Sequence, residues 1–360
     1  MTADHGAAPA PRRRRKSTAL APLPAGPEHF GLICGLPTSL TYLAADFARD
    51  LMQRAYGSCE VIPFNSMSEE TVRRLAGASI EPKLLLSEVP DDSIVRYATA
   101  ERFPVVVVDQ GFAEACRDFI SARDLALLDA ARSISRAQIG SIAISAIERA
   151  IIIRPEFDAP AGQLAQKIAA VLGVAHDALT AMIRDRALDR PLEALLCEHF
   201  SHGAFVGDDR DEGTLAQLDR IYSLTMTRQQ ERFNLPVAVL VDGKPPHLPM
   251  TGPIELVGPA RCLTFGPYFN FPAGHWEASI EFFADGNVPA NSFRIDLLAD
   301  REAKVDHQFQ IEGGGSYRLT FDFEIQDQYQ PIEIRTFICS GAISGRFCLT
   351  ALSLSPKTKP

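Results

Sequence analysis

Residues 30–53, FGLICGLPTSLTYLAADFARDLMQ, decide how the first half of this chain folds. The apolar run Phe30 to Cys34 reads as a strand, Gly35 to Ser39 as its exit turn, and Leu43, Phe47, Leu51 and Met52 as one face of a helix. Thr38 or Ser39 stands where it can cap that helix, whose free first-turn amides are a natural place for an anion. The stretch therefore opens either a mononucleotide-binding unit or an ordinary α/β domain. A phosphate-cradling loop carries more glycine and a Lys or Arg to meet the charge, and beyond Gly35 this loop has neither.

Downstream, Val61 to Phe64 and Lys83 to Ser87 read as strands. Helices are expected over Ser66 to Ala76, opened by a capping box from Ser66 to Glu69, and over Asp91 to Arg102. The clearest parallel-strand signal is Pro104 to Asp109, PVVVVD, whose unbroken valines imply burial on both faces. Helices over 114–122 and 125–147, a strand from Ala150 to Ile153, and helices over 162–172 and 177–195 complete a doubly wound sheet that closes near residue 203. Residues 204–235 read as a linker with an amphipathic helix carrying Leu215, Leu218, Ile221, Tyr222 and Met226. From there the period changes to two. Trp276, Ala278, Ile280 and Phe282 alternate with polar residues, as do Tyr317, Leu319, Phe321, Phe323 and Ile325. Evenly spaced strands without helices between them predict a β-sandwich of the jelly-roll kind. The expected organisation is a basic leader over 1–27, a three-layer α/β domain with a mostly parallel sheet over 28–203, the linker, and an all-β sandwich over 236–356.

The chain has 360 residues and a formal net charge of −9, which argues against a general nucleic-acid binder. The exception is local. Arg12, Arg13, Arg14, Arg15 and Lys16 lie in an Ala/Pro-rich leader with too few large apolar side chains to order itself. The cluster is read as a solvated tail, or as a weak contact to an anionic membrane or an acidic partner. Seven scattered cysteines without Cys-x-x-Cys spacing read as buried thiols in a reducing compartment, and the dispersed histidines suggest no metal site. With no apolar run long enough to span a bilayer and no secretory signal, the expected location is cytoplasmic, with a peripheral membrane contact as the variant.

Three segments of the first half resemble the sulfotransferase branch of the P-loop fold. Gly35-Leu36-Pro37-Thr38-Ser39-Leu40-Thr41-Tyr42-Leu43 is similar to that family's loop for the 5′-phosphosulfate of the donor nucleotide. PVVVVDQGFAEAC, residues 104–116, stands where the family has a strand followed by Arg-Asp-Pro and a later Ser. IIIRPEFDAPAGQLAQKIAAVLG, residues 151–173, resembles its late strand, turn and helix. The resemblance implies donor contacts from Gly35, Thr38, Ser39, Thr41 and Asp109. The departures fall on the charges that sulfuryl transfer needs. Thr38 replaces the loop's basic residue, Leu40 its glycine, and Val108 and Cys116 the Arg and Ser that hold the 3′-phosphate. No cofactor is therefore expected, and the adenine-nucleotide sulfuryl donor only if other basic groups, such as Lys83 or Arg154, rebuild the site. Glu156, in the turn after the Ile151 strand, is the candidate catalytic base, because α/β domains place functional groups at the carboxyl ends of their strands.

Residues 265–276, FGPYFNFPAGHW, are similar to a pattern in β-sandwich modules attached to bacterial glycan-processing enzymes. Tyr268, Asn270, His275 and Trp276 are the candidate glycan contacts, with stacking faces and hydrogen-bonding groups close together. For Trp276 a core position competes, since its strand alternates cleanly. Asp91-Asp92 and Asp208-Asp209 read as helix caps and turns. The resulting expectation is a non-catalytic or atypical sulfotransferase-fold protein that binds glycan and supports cell-surface polysaccharide synthesis or modification, with glycan or polysaccharide-synthesis proteins as partners. The alternative is an active transferase acting on a polysaccharide acceptor.

Overall fold

The computed structural model describes residues 30–63, 65–66, 71, 75, 81–101, 104–200, 205, 207–226, 231–285, 292–299, 301–311 and 313–357. The basic leader and most of the helix expected over 66–76 lie outside these residues.

Five strands, β1 (Phe30–Gly35), β2 (Glu60–Pro63), β3 (Lys83–Ser87), β4 (Val105–Val108) and β5 (Ala150–Ile153), form one parallel sheet in the order β2-β3-β1-β4-β5. The four valines of β4 divide as their run predicts. Val106 and Val108 pack beneath α1 (Ser39–Tyr56) and α5 (Ala161–Leu172), while Val105 and Val107 face α2 (Asp92–Glu101) and the end of α4 (Leu127–Ser145). β5 departs from that pattern. It is the sheet's edge, and Ile151 and Ile152 are 50% and 42% exposed. An apolar run of four residues cannot by itself tell a central strand from an unprotected edge.

The single helix expected over 177–195 is two, α6 (His176–Asp185) and α7 (Leu192–His199). Ala187, at φ +50, turns the chain out of the helix, and Pro191 starts the next one. The carboxylate pairs act as caps: Asp91 accepts from Ser93 and Ile94 amides, and Asp208 from those of Arg210 and Asp211.

The second half consists of two antiparallel sheets. One runs β13 (Glu302–Gln310), β12 (Ser292–Ala299), β15 (Ile332–Ile338), β9 (Arg261–Phe265), β7 (Val241–Asp242), with β10 (Pro267–Phe269) also on β15. The other runs β14 (Gly315–Ile325), β11 (Gly274–Asp285), β16 (Arg346–Lys357), β6 (Phe233–Leu235), with β8 (Ile254–Glu255) on β16. Their inner faces meet through rings such as Phe293, whose centroid is 6.1 Å from that of Phe347. The alternation read in β11 and β14 is the inward and outward sides of one sheet.

The amphipathic helix of the linker, α8 (Asp209–Met226), does not hang between two separate cores. Leu215, Leu218, Ile221 and Tyr222 join residues of α3 (Phe112–Arg123), α4 and both antiparallel sheets in one continuous apolar cluster. At its centre the Tyr222 ring stacks on Phe112 at 4.3 Å and 6° and lies 6.2 Å from Phe271. Its hydroxyl, fully buried, donates to the Asn270 carbonyl at 3.1 Å, and burial pushes the phenol's pKa well up.

Because Tyr222 belongs to both halves, Tyr222→Ala should cost about 3–5 kcal/mol and lower the unfolding midpoints of the parallel-sheet and antiparallel-sheet halves together. Denaturant unfolding followed by helix circular dichroism and by Trp276 fluorescence checks this. Two separated transitions in the wild-type chain would contradict the shared core.

Candidate functional site

In a parallel α/β sheet, ligands approach the carboxyl ends of the strands where the connections change direction, here beside β1 and β4. The helix N-termini at that edge are already occupied. Thr38 caps α1, accepting from the Thr41 amide. The next amide, Ser39 N–H, donates to Asp118 Oδ2 at 2.6 Å, and Ser39 Oγ donates to Asp118 Oδ1 at 2.9 Å. A carboxylate from α3 thus sits where α1 would present an anion site. The same happens at α3, whose Ala113 amide donates to Asp219 Oδ1 of α8 at 3.0 Å. Gly111 precedes that helix at φ +86, a backbone conformation that favours glycine, and a Cβ there would make only ordinary contact with Asp219 Oδ1.

The remaining loop positions serve packing. A Cβ on Gly35 would sit 2.4 Å from Thr41 Oγ1 and 3.0 Å from the Val108 carbonyl, so this glycine lets β1, β4 and α1 close together. Leu40 turns into the core below α1 instead of obstructing the loop. Cys116 lies in the core, and burial, with the Asp219 carboxylate adding, pushes its thiol well up. Burial likewise pushes Cys34 up to about 12.

At the ends of β4 and β5 a pocket of about 340 Å³ is lined by Asp109, Gln110, Gln138, Arg154 and Tyr222 among others. Its two charges neutralise each other, Arg154 Nε donating to Asp109 Oδ2 at 2.7 Å, while Asp109 Oδ1 accepts from the Gly111 amide at 3.3 Å. Glu156 is exposed and is not among the residues lining it. Lys83 begins β3 at the opposite, amino edge, buried with Nζ donating to the Leu75 carbonyl. Sequence reasoning thus placed Gly35, Thr38, Ser39, Thr41 and Asp109 at one edge, and missed Asp118 and Asp219, which fill it. Among the described residues no group of three His, Cys, Asp or Glu is arranged to hold a metal.

The four candidate glycan contacts do not form one platform. Trp276 is 5% exposed, packs edge-on to Phe233, and donates Nε1–H to the Pro272 carbonyl at 3.0 Å. Asn270 is 2% exposed, its Nδ2 donating to the Gln328 carbonyl. Both are the sandwich's share of the aromatic cluster around Tyr222, so their rings and amides are spent on packing. His275 points outward with Nε2 3.8 Å from Glu324. Tyr268, half-buried, carries the Arg132 guanidinium over its ring at 5.1 Å and donates its hydroxyl to Glu333 Oε1 at 2.7 Å.

Tyr268 adjoins a strip of polar and aromatic groups on the outer face of the β9-β15-β12 sheet. Glu333, Arg335 and Phe337 alternate outward along β15, and Arg335 grips Asp296 of β12 with Nε and Nη2 at 2.7 and 2.9 Å. The guanidiniums of Arg294 and Arg335 lie 4.4 and 5.6 Å from the Phe337 ring centroid. Asp296 is only 3% exposed because these side chains cover it.

No family model matches the chain, and no curated protein matches it. Among solved structures it is similar to a xylan-binding module, CBM15, with a TM-score of 0.27 and 6% identity over 36% of this chain and 99% of that one. It is also similar to a CBM61 module determined with β-1,4-galactotriose, with a TM-score of 0.24 and 10% identity over 35% and 88%. A third is the CBM36-1 domain of a multidomain xylanase from the hindgut metagenome of Trinervitermes trinervoides, with a TM-score of 0.24 and 12% identity over 36% and 100%. These neighbours are carbohydrate-binding modules.

Two measurements check the site's geometry. In Asp118→Ala the α1 amides lose a charged acceptor, at a cost of roughly 1.5–3 kcal/mol, and sulfate should then raise the variant's melting temperature more than the wild type's. Equal response in both would mean that the carboxylate does not occupy an anion site. At pH 8.5 the raised pKa values and burial of Cys34 and Cys116 should leave both thiols unreactive toward a disulfide reagent, while the exposed Cys197 and Cys339 react at once.

Proposed function

We propose that the protein is a non-catalytic glycan-binding protein that supports cell-surface polysaccharide synthesis or modification, with the α/β half over 28–203 as scaffold and the sandwich over 236–356 as the binding part. The observation that carries this reading is the pair of internal carboxylates, Asp118 and Asp219, on the helix N-termini beside β1 and β4 at the sheet's carboxyl edge. A donor phosphate would have to displace a negative charge at each, with Arg154 already paired to Asp109. That opposes use of an adenine-nucleotide sulfuryl donor, because phosphoryl- and sulfuryl-transfer sites work by concentrating positive charge and donors. On the outer strip of the sandwich the polar groups engage one another as side-chain pairs on the outer face of the sheet, not as caps on a helix terminus. Tyr268 and Phe337 are half-buried rings there, each with a guanidinium over it, and Glu333, Arg335 and Arg294 are planar groups that can exchange part of this bonding for sugar hydroxyls.

No described helix is long and apolar enough to cross a membrane. In this reading the protein meets its polysaccharide partner as a peripheral component, with the basic cluster Arg12 to Lys16 as a contact to anionic surfaces.

Isothermal titration with adenosine 3′,5′-bisphosphate should give no heat at micromolar concentration, while affinity gels carrying neutral and acidic polysaccharides should retain the chain. Phe337→Ala should lower that retention several-fold and leave the chain cooperatively folded, since the Phe337 ring lies on the outer face of the sheet and outside the shared apolar core. Tight nucleotide binding would overturn the reading in favour of an active transferase acting on a polysaccharide. Absence of retention on every glycan would overturn glycan binding itself.

A further inference from the structure

A cleft of about 940 Å³ opens where the two halves meet, within the size range of ligand sites and in the setting where they are commonly built. One wall is the turn between α3 and α4, another the first turns of α8, and the third the sandwich loop that ends at Thr251. Leu128 and Val241 give it an apolar floor, and Leu248, 61% exposed, stands at its mouth.

Its charges are unbalanced. Four aspartates line the cleft against two arginines. Both arginines are committed within the protein: Arg132 Nε donates to the Pro267 carbonyl at 2.9 Å and its Nη1 to Asp129 at 3.1 Å, while Arg210 donates to the Met250 carbonyl. Asp129 is thereby paired, and Asp208 caps α8. Asp124 and Asp211 are left, and among the described residues neither carboxylate has a hydrogen bond or ion pair.

We infer that this cleft takes a glycan bearing free amino groups. The inference rests on the glycan-binding reading above and names the class of sugar and a second place for it, apart from the outer strip. The apolar floor suits the C–H face of a pyranose ring, as apolar side chains do in sugar and cofactor sites. The two uncommitted carboxylates, exposed Asp124 and half-buried Asp211, attract an ammonium and repel a uronate or a sulfate ester, an effect that solvent and salt screen. Acetylating the amine removes the charge and with it the selection.

The test is titration calorimetry of the full chain with a fully deacetylated glucosamine oligomer and with its N-acetylated counterpart. The deacetylated oligomer is expected to bind at least roughly tenfold tighter, with a preference that shrinks as salt is raised. Asp124→Asn with Asp211→Asn should erase that preference, and Leu248→Ser should weaken both oligomers alike. Circular dichroism confirms that each variant is folded, and the single substitutions stand in for the double should it unfold. Equal binding of the two oligomers, or a preference untouched by the asparagine variants, overturns this inference and leaves Phe337-dependent retention standing. Failure of every glycan, on the gels as well as in the calorimeter, overturns both.

Discussion

The stacked rings of Phe112, Tyr222 and Phe271 are the contact on which the two halves depend. Phe112 starts α3, Tyr222 belongs to α8, and Phe271 follows β10, so three distant segments are fixed by one column of aromatics. The column continues through Phe233 and Trp276, each within 6 Å of Phe271. Desolvating the Tyr222 hydroxyl is tolerated because the Asn270 carbonyl accepts its hydrogen bond, and that bond holds the sandwich's Pro-rich segment in register with α8. A helix that composition marks as a linker is in fact the spine of the shared core.

The same helix supplies Asp219, and this ties the closed edge of the parallel sheet to the presence of the sandwich. A βα loop ordinarily leaves its helix amides for water or ligand. Here α3 caps α1, and α8 caps α3, each with a carboxylate. The dipoles that would draw in a phosphate are spent on internal cohesion, which turns a binding feature of the fold into a structural one.

Much of the architecture was legible in the chain. The valine run of β4, the capping position of Thr38, and the alternation in β11 and β14 are local signals, and each appears where local physics puts it. What was not legible is tertiary. Asp118 lies 79 residues from Ser39 and Asp219 lies 106 from Ala113, and no spacing rule connects such pairs. The aromatic cluster over 268–276 was ambiguous for a related reason: stacking surfaces for a sugar and for another helix have the same composition, and only the arrival of Tyr222 decides between them. β5 is an apolar run like that of β4 yet stands at the sheet's edge, and four residues of composition do not distinguish the two positions.

Asp118 also bears on which substitutions could open an anion site here. Thr38 is buried at the start of α1, one residue from the amide that Asp118 holds. A lysine or arginine arriving there by a single substitution would meet a carboxylate already in place and form an ion pair with it, leaving no net positive charge for a phosphate. An anion site built by that route would need the acid to be lost first, at the expense of the α1 cap. The order of changes is therefore constrained, because added positive charge at this turn is absorbed by the internal cap for as long as Asp118 remains.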